Sequence, residues 1–303
     1  MLIEKMFKID TIDELASCLG ISKCKINVIA DNIRKYYKSR IIVKNKKKRR
    51  IDIPDSDLKK IQRLINKRLL QKVNLPDSIQ GSKKKGSIIK NANLHVGQKI
   101  VGNLDIKDFF PSVDSKRVKS VFIGIGCSGL VSDMLVRLTT LRGVLPQGAP
   151  TSSSIANLVL LNMDKRFKSL CKIHGLRYSF YVDDITISGN QRVEKLKKLF
   201  CKIIKQEGFD VNPDKIKFCN KAERQMVTNL VINSGKPNVP KEYKRNLRAV
   251  IHNCIKQGPA TQTKKSMEEF KRSLMGKINY VLSINQKAGC KLLCEFRKIN
   301  WAV

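Results

Sequence analysis

Two adjacent aspartates set the tightest limit on what this chain can fold into. In the segment RYSFYVDDITISGN, Phe180 with Val182 and Ile185 with Ile187 make short strand-like runs on either side of Asp183 and Asp184. Neighbours inside a strand face opposite ways, so both carboxylates reach one site only from the turn of a hairpin. The pattern puts them there. A plainer reading, an Asx-type loop, stays open while the Tyr-Val-Asp-Asp sequence is taken alone.

A third carboxylate lies upstream. In KIVGNLDIKDFF, Ile100, Leu104 and Ile106 share one parity while Val101, Asn103 and Asp105 share the other. A strand here is expected to bury the first set and turn Asp105 to the opposite face. Crowding three carboxylates is costly unless cations neutralise them, and two magnesium ions do so while activating a hydroxyl and stabilising a leaving pyrophosphate. Phosphoryl transfer is the chemistry such a trio serves.

Charge narrows the partner. Sixty-one Lys and Arg against 25 Asp and Glu give +36, far beyond what solubility needs, and a polyanion would relieve the self-repulsion. Charge alone does not separate an enzyme on nucleic acid from a basic ribosomal or chromatin-like protein. There is no run of about 18 uncharged apolar residues and no apolar signal core in MLIEKMFKIDTIDEL, so a cytoplasmic protein without membrane contact is expected. The nine cysteines form no Cys-x-x-Cys pair and only three histidines accompany them, which disfavours zinc and disulfides. Cys290 and Cys294 sit four apart and are expected as buried small apolar groups rather than ligands.

Residues 1–38 read as a helical cap, with Asp10 or Thr11 starting one helix, Gly20 ending it and Ser22 starting the next. The pair resembles a helix-turn-helix but lacks a base-reading set after Ser22, so packing is the expected role. Residues 40–54 put two apolar runs around a basic turn, a hairpin, and Leu58, Ile61, Leu64, Ile65 and Leu69 have helical spacing between 57 and 73. Phe270, Leu274, Ile278 and Val281 share another helix face after a Gly258-Pro259 break.

Over roughly residues 35–285 the order of motifs resembles the reverse transcriptase family: Asp105 with Phe110, then LPQGAPTSSSIANL at 145–158, then Tyr181-Val182-Asp183-Asp184. The resemblance implies an α+β right-hand polymerase, with fingers at 39–98, a palm of antiparallel sheet and helices at 99–235 interleaved with part of the fingers, and a helical thumb at 236–303. By that likeness Asp105, Asp183 and Asp184 are catalytic, and with the Ile106 carbonyl they hold two magnesium ions. Arg49, with one of Lys44 or Lys46, is a candidate for the triphosphate, where cationic side chains offset growing charge. Asp108, Gln147 and Tyr181 border the nucleotide, Phe110 fills the space of a ribose 2′-hydroxyl and so selects deoxynucleoside triphosphates, and Lys215 is a candidate general acid.

Two further elements resemble the retron branch. Asn91-Ala92-Asn93-Leu94-His95 matches an Asn-Ala-x-x-His element, in which His95 is structural or RNA-contacting. Val227-Thr228-Asn229 resembles a Val-Thr-Gly element for cognate RNA, with asparagine in place of glycine, a residue that tolerates left-handed backbone. Thumb cations including Lys244, Arg248 and Lys271 are expected to grip RNA or duplex through phosphates. The resemblance implies an RNA-directed DNA polymerase, a nucleotidyltransferase, that copies part of its noncoding RNA from a 2′-hydroxyl of that RNA. The product is a branched RNA–DNA hybrid (msDNA), and a defence effector protein acting against phage is the implied partner. The alternatives are an intron- or diversity-element-linked reverse transcriptase and a catalytically silent RNA-binding scaffold.

Overall fold

The computed structural model describes residues 5–44, 47–190 and 193–301. The chain divides into two compact units, Met1–Ser87 with Gly102–Phe218, and Ile88–Val101 with Cys219–Val303. Helices and antiparallel strands are both present, as the α+β expectation requires.

In the first unit, helices Ile12–Leu19 and Lys23–Asp31 begin where the capping signals stand. The Thr11 side chain accepts from the Glu14 N–H while Glu14 reaches back, Gly20 closes the helix at φ +62°, and Ser22 caps the next. Leu15, Leu19, Ile26 and Ile29 are fully buried, and the pair packs on helices Ser56–Arg68 and Gly129–Thr139. The basic hairpin joins Tyr37–Lys44 to Lys47–Pro54, pairing Ile42 with Arg49. The helix after it ends at Arg68 rather than 73, because Leu69 and Leu70 are both buried and the chain tightens to a 3-10 turn over Leu70–Lys72 to bring consecutive residues inward.

Four strands make the main sheet in the order Arg177–Tyr181, Asp184–Gly189, Ile100–Asp105, Lys217–Asn220. Phe180 on the outer strand meets Phe167 at 5.2 Å between ring centroids, and Phe167 meets Phe200 at 5.0 Å, which anchors helices Leu161–Ile173 and Lys197–Gln206. The expectation of one buried face on Ile100–Asp105 is corrected: Val101, Gly102, Leu104 and Asp105 are all covered. The Phe218 ring lies on Gly102 so closely that a Cβ there would stand 2.4 Å from it.

In the second unit, the short helix Ile88–Asn93 and the hairpin Met226–Val227/Leu230–Val231 share a core of Ala92, Val101, Val227, Leu230 and Ile232. Helices Lys241–Gln257, Met267–Ile284 and Gln286–Phe296 enclose a second core, to which Leu274, Ile278 and Val281 contribute as spaced, with Phe270 packed against it. Gly258 turns the chain at φ +84° before Pro259. All nine cysteines are free. Cys290 and Cys294 are exposed, not buried, since Gly289, Leu292 and Phe296 take the inward face of their helix. Among the described residues no helix is long and apolar enough to cross a membrane.

Candidate active site

The hairpin that carries the dyad closes with Tyr181 paired to Asp184, leaving Val182 and Asp183 as its two turn residues. Val182 adopts φ +61°. A β-branched residue in left-handed backbone costs on the order of 1–3 kcal/mol and persists only where surroundings impose it. Those surroundings are residues 78–81. The Phe180 N–H donates to the Ser78 carbonyl at 2.7 Å and the Gln80 N–H donates to the Phe180 carbonyl at 2.9 Å, which lays this segment along the outer strand. Gly81 then seats against the turn, where a Cβ would be 2.6 Å from the Val182 nitrogen, and its carbonyl accepts from Asn157 Nδ2 at 2.7 Å.

Asp105 meets this turn through backbone. The Ile106 N–H donates to the Asp183 carbonyl at 3.0 Å, and the Asn212 N–H donates to the Asp105 carbonyl at 2.8 Å. The Lys215 ammonium donates to Asp105 Oδ1 at 2.5 Å. Desolvation raises the Asp183 carboxyl above its ordinary range and Asp105 adds to the rise, against Lys215 and Arg49. Asp184 reaches solvent, yet desolvation first, then Asp183 and Asp105, pushes it up to about 6. Three carboxylates crowd together where these strands meet, and a cation bound beside them would lower the cost of keeping them ionised.

A cavity of about 740 Å³ opens here, lined by Asp105, Ile106, Asp108, Phe110, Gln147, Asp183, Lys215 and Arg49 among the anticipated residues. The Asp52 N–H donates to the Gln147 carbonyl at 2.8 Å, tying the basic hairpin to the Pro146–Gly148 turn. Gly148 sits at φ +125° with its Cβ position 2.7 Å from the Asp52 carbonyl oxygen, so only glycine lets the two backbones approach. Phe109 is buried core beside the half-exposed Phe110. Arg50 and Arg142 also line the cavity and carried no motif signal, while Asn212 lines it from the segment EGFDVNPDKIKF, which resembles a palm element of the family but in which only Lys215 was singled out. Tyr181 and Asp184 do not line it. Lys46 and the side chain of Lys44 lie outside the described residues.

In the second unit, Asn91, His95 and Val227 are buried, so their side chains face core rather than solvent. Thr228 and Asn229 form the tip of the small hairpin at φ +45° and +64°, and Thr228 Oγ1 donates to the Ile88 carbonyl at 3.3 Å. The asparagine thus keeps the left-handed turn expected of it. Lys244 and Arg248 line a separate basic cleft with Lys287 and Lys291, and Lys271 lies 5.4 Å above the Trp301 ring.

Among the described residues no three His, Cys, Asp or Glu side chains are gathered as a set able to hold a metal ion. The Lys215 ammonium pairs with Asp105. The donors on offer, carboxylate and carbonyl oxygens, suit a hard dication such as magnesium.

The chain is similar to known proteins. Residues 38–276 match the family described as reverse transcriptase (RNA-dependent DNA polymerase). The chain is 31% identical to the retron Ec86 reverse transcriptase of Escherichia coli, over 84% of this chain and 78% of that protein. It is 33% identical to the retron Se72 reverse transcriptase of Salmonella heidelberg (strain 579083-10), over 88% and 74%. Among solved structures, apo telomerase from Candida tropicalis is similar in fold, with a TM-score of 0.52 at 14% identity; the likeness covers 87% of this chain and 58% of the telomerase chain, little over half of it.

Proposed function

The chain belongs to the reverse transcriptase family and, within it, to the retron enzymes, and from that premise we propose that its RNA-directed DNA synthesis runs in the pocket lined by Asp105 and Asp183, with Asp184 next in the chain beside it. The observation that carries this reading is the Ile106 N–H to Asp183 carbonyl bond, which joins two distant segments so that their carboxylates line one basic cavity.

Enzymes of this family use divalent metal ions. Two magnesium ions would supply the charge that favours an ionised hydroxyl and offsets the pyrophosphate. Asp105, Asp183, Asp184 and the Ile106 carbonyl are the groups that would hold them. Arg49, with Lys44 or Lys46, takes the triphosphate, and Asp108, Gln147 and Tyr181 border the nucleotide. The Phe110 ring, at the cavity wall, excludes a 2′-hydroxyl. Lys215, already within hydrogen-bond reach of Asp105, delivers a proton to the departing pyrophosphate.

The remaining parts follow the right-hand plan: a helical cap at 1–38, fingers at 39–98, palm at 99–235 and thumb at 236–303. Lys244, Arg248 and Lys271 grip RNA phosphates. Asn91, His95 and Val227 shape the core beneath the Thr228-Asn229 tip, which meets the cognate noncoding RNA. That RNA primes synthesis from a 2′-hydroxyl and yields a branched RNA–DNA hybrid, which acts in the cytoplasm with an effector protein against phage.

The test is to purify the protein from cells carrying its native locus and compare bound nucleic acid with that of Asp183→Ala, after ribonuclease and debranching treatment. A discrete single-stranded DNA, shifted by debranching and absent from the variant, is expected. Unbranched DNA would replace self-priming with the 3′-hydroxyl priming of intron- or diversity-element enzymes. RNA without DNA in both samples would favour a scaffold, and normal DNA from the variant would remove Asp183 from the chemistry.

A further inference from the structure

The active-site cavity has a neighbour in the same unit. A cleft of about 560 Å³ is lined by Arg34, Ser115, Arg137, Thr140, Arg142 and Gly143, and Arg142 lines both cavities. No acidic residue lines the cleft. Asp31 pairs with Arg137 at 2.6 Å and leaves the other two arginines without a counter-ion among the described residues.

The backbone of Arg142 is unusual. Leu141 and Val144 exchange both N–H to carbonyl bonds, at 2.9 and 3.3 Å, so Arg142 and Gly143 are the two central residues of a tight turn at φ +55° and +79°. Turns with both central residues at positive φ favour Asn, Asp or Gly at the first place, and arginine there is strained. The turn is also fixed, because the Ser115 N–H and Oγ both donate to the Gly143 carbonyl, at 2.9 and 3.0 Å. Among the described residues the Arg142 guanidinium makes no hydrogen bond, ion pair or ring contact. An exposed guanidinium on a rigid turn, shared by two basic cavities, suits a ligand that presents paired anionic oxygens.

We propose that Arg34, Arg137 and Arg142 form a phosphate subsite beside the polymerase pocket, with Arg142 reaching a phosphate from either cavity. This rests on the reading of the Asp105 pocket as the site of DNA synthesis. The phosphate belongs to the nucleotide and its pyrophosphate product or to the unpaired template strand.

Arg142→Gly separates function from fold, since glycine suits φ +55° better than arginine does. Full-length wild type, Arg142→Gly and Arg34→Ala would be compared on an RNA template annealed to a DNA primer. One arm measures KM for deoxynucleoside triphosphates and the pyrophosphate concentration needed for the reverse reaction. The other measures affinity for the same duplex with and without an unpaired template overhang. Arg142→Gly should melt at or above the wild-type temperature yet lose about tenfold in one arm, the scale of one charge-assisted hydrogen bond. A loss confined to the first arm names the nucleotide or pyrophosphate; a loss of the gain in affinity conferred by the overhang names the strand. If the wild type extends primers and both variants match it within about twofold in both arms, the subsite does not exist. A wild type that extends no primer would overturn the polymerase reading instead. Should Arg142→Gly melt early, Arg34→Ala, outside the strained turn, decides the matter by the same two arms.

Discussion

Gly81→Ala should slow DNA synthesis by about 10- to 100-fold while leaving RNA bound. The added Cβ would stand 2.6 Å from the Val182 nitrogen, 2.8 Å from Val182 Cγ2 and 2.9 Å from the Tyr181 carbonyl carbon, whereas ordinary contact begins near 3.4 Å. Two of those three atoms are backbone, so relief comes from moving the turn by roughly 0.5–0.8 Å rather than from rotating a side chain. Asn157 holds the Gly81 carbonyl from the other side at 2.7 Å and resists retreat of residue 81. Misplacing a reacting group by ~1 Å costs about 10²-fold in rate, and overpacking costs about 1–3 kcal/mol in stability. The assay is single-turnover primer extension at saturating nucleotide, beside RNA affinity and thermal melting. Extension within about twofold of wild type, with unchanged melting, would show that residue 81 does not position Asp183.

Other outcomes follow from the same structure. At the tip of the small hairpin, Asn229→Gly should leave stability within about 0.5 kcal/mol of wild type, while Asn229→Val, a β-branched residue at φ +64°, should cost about 1–3 kcal/mol in chemical denaturation. Equal midpoints for the two variants would mean the turn rearranges freely. Burial pushes the thiols of Cys127 and Cys171 up to about 12. Because their folded values lie above the unfolded one, the stability tied to the neutral thiols is full below about pH 8.5 and is lost as pH rises toward 12, at about 1.4 kcal/mol per pH unit for each group. The alkaline fall in unfolding free energy should therefore be shallower in Cys171→Ala than in wild type, and parallel curves would count against burial as the cause.

Much of the site was legible because its signals are local. The dyad hairpin shows in the period-two runs at Phe180, Val182, Ile185 and Ile187, and the Thr11–Glu14 capping box marks the first helix where it begins. The contacts that hold the site are another matter. Gly81 supports the dyad from about a hundred residues upstream, and Asp52 reaches Gln147 through backbone atoms that carry no sequence signature. The alternation at Ile100–Asp105 suggested one covered face, but Val101 and Asp105 on the other are buried as well. Arg142 stood in an unremarkable stretch; only its backbone angle and the two cavities beside it single it out. Such features depend on which distant segment arrives, and periodicity within one segment does not report that.

The core of Ala92 and Val101 with Val227, Leu230 and Ile232 bears on how the chain is made. Residues 88–101 leave the ribosome long before their partners: at ~5–20 residues per second the interval is on the order of ten seconds. During it Ile88, Ile89 and Val101 lack Val227, Leu230 and Ile232 to pack against, although most of the chain that will form the first unit is still being added. Cutting the gene after residue 218 would make that wait permanent, leaving an orphaned apolar segment in the middle of the product. The first unit is thus contiguous in space but not in synthesis, and chaperone occupancy during translation should concentrate on the window between these two halves of one small core.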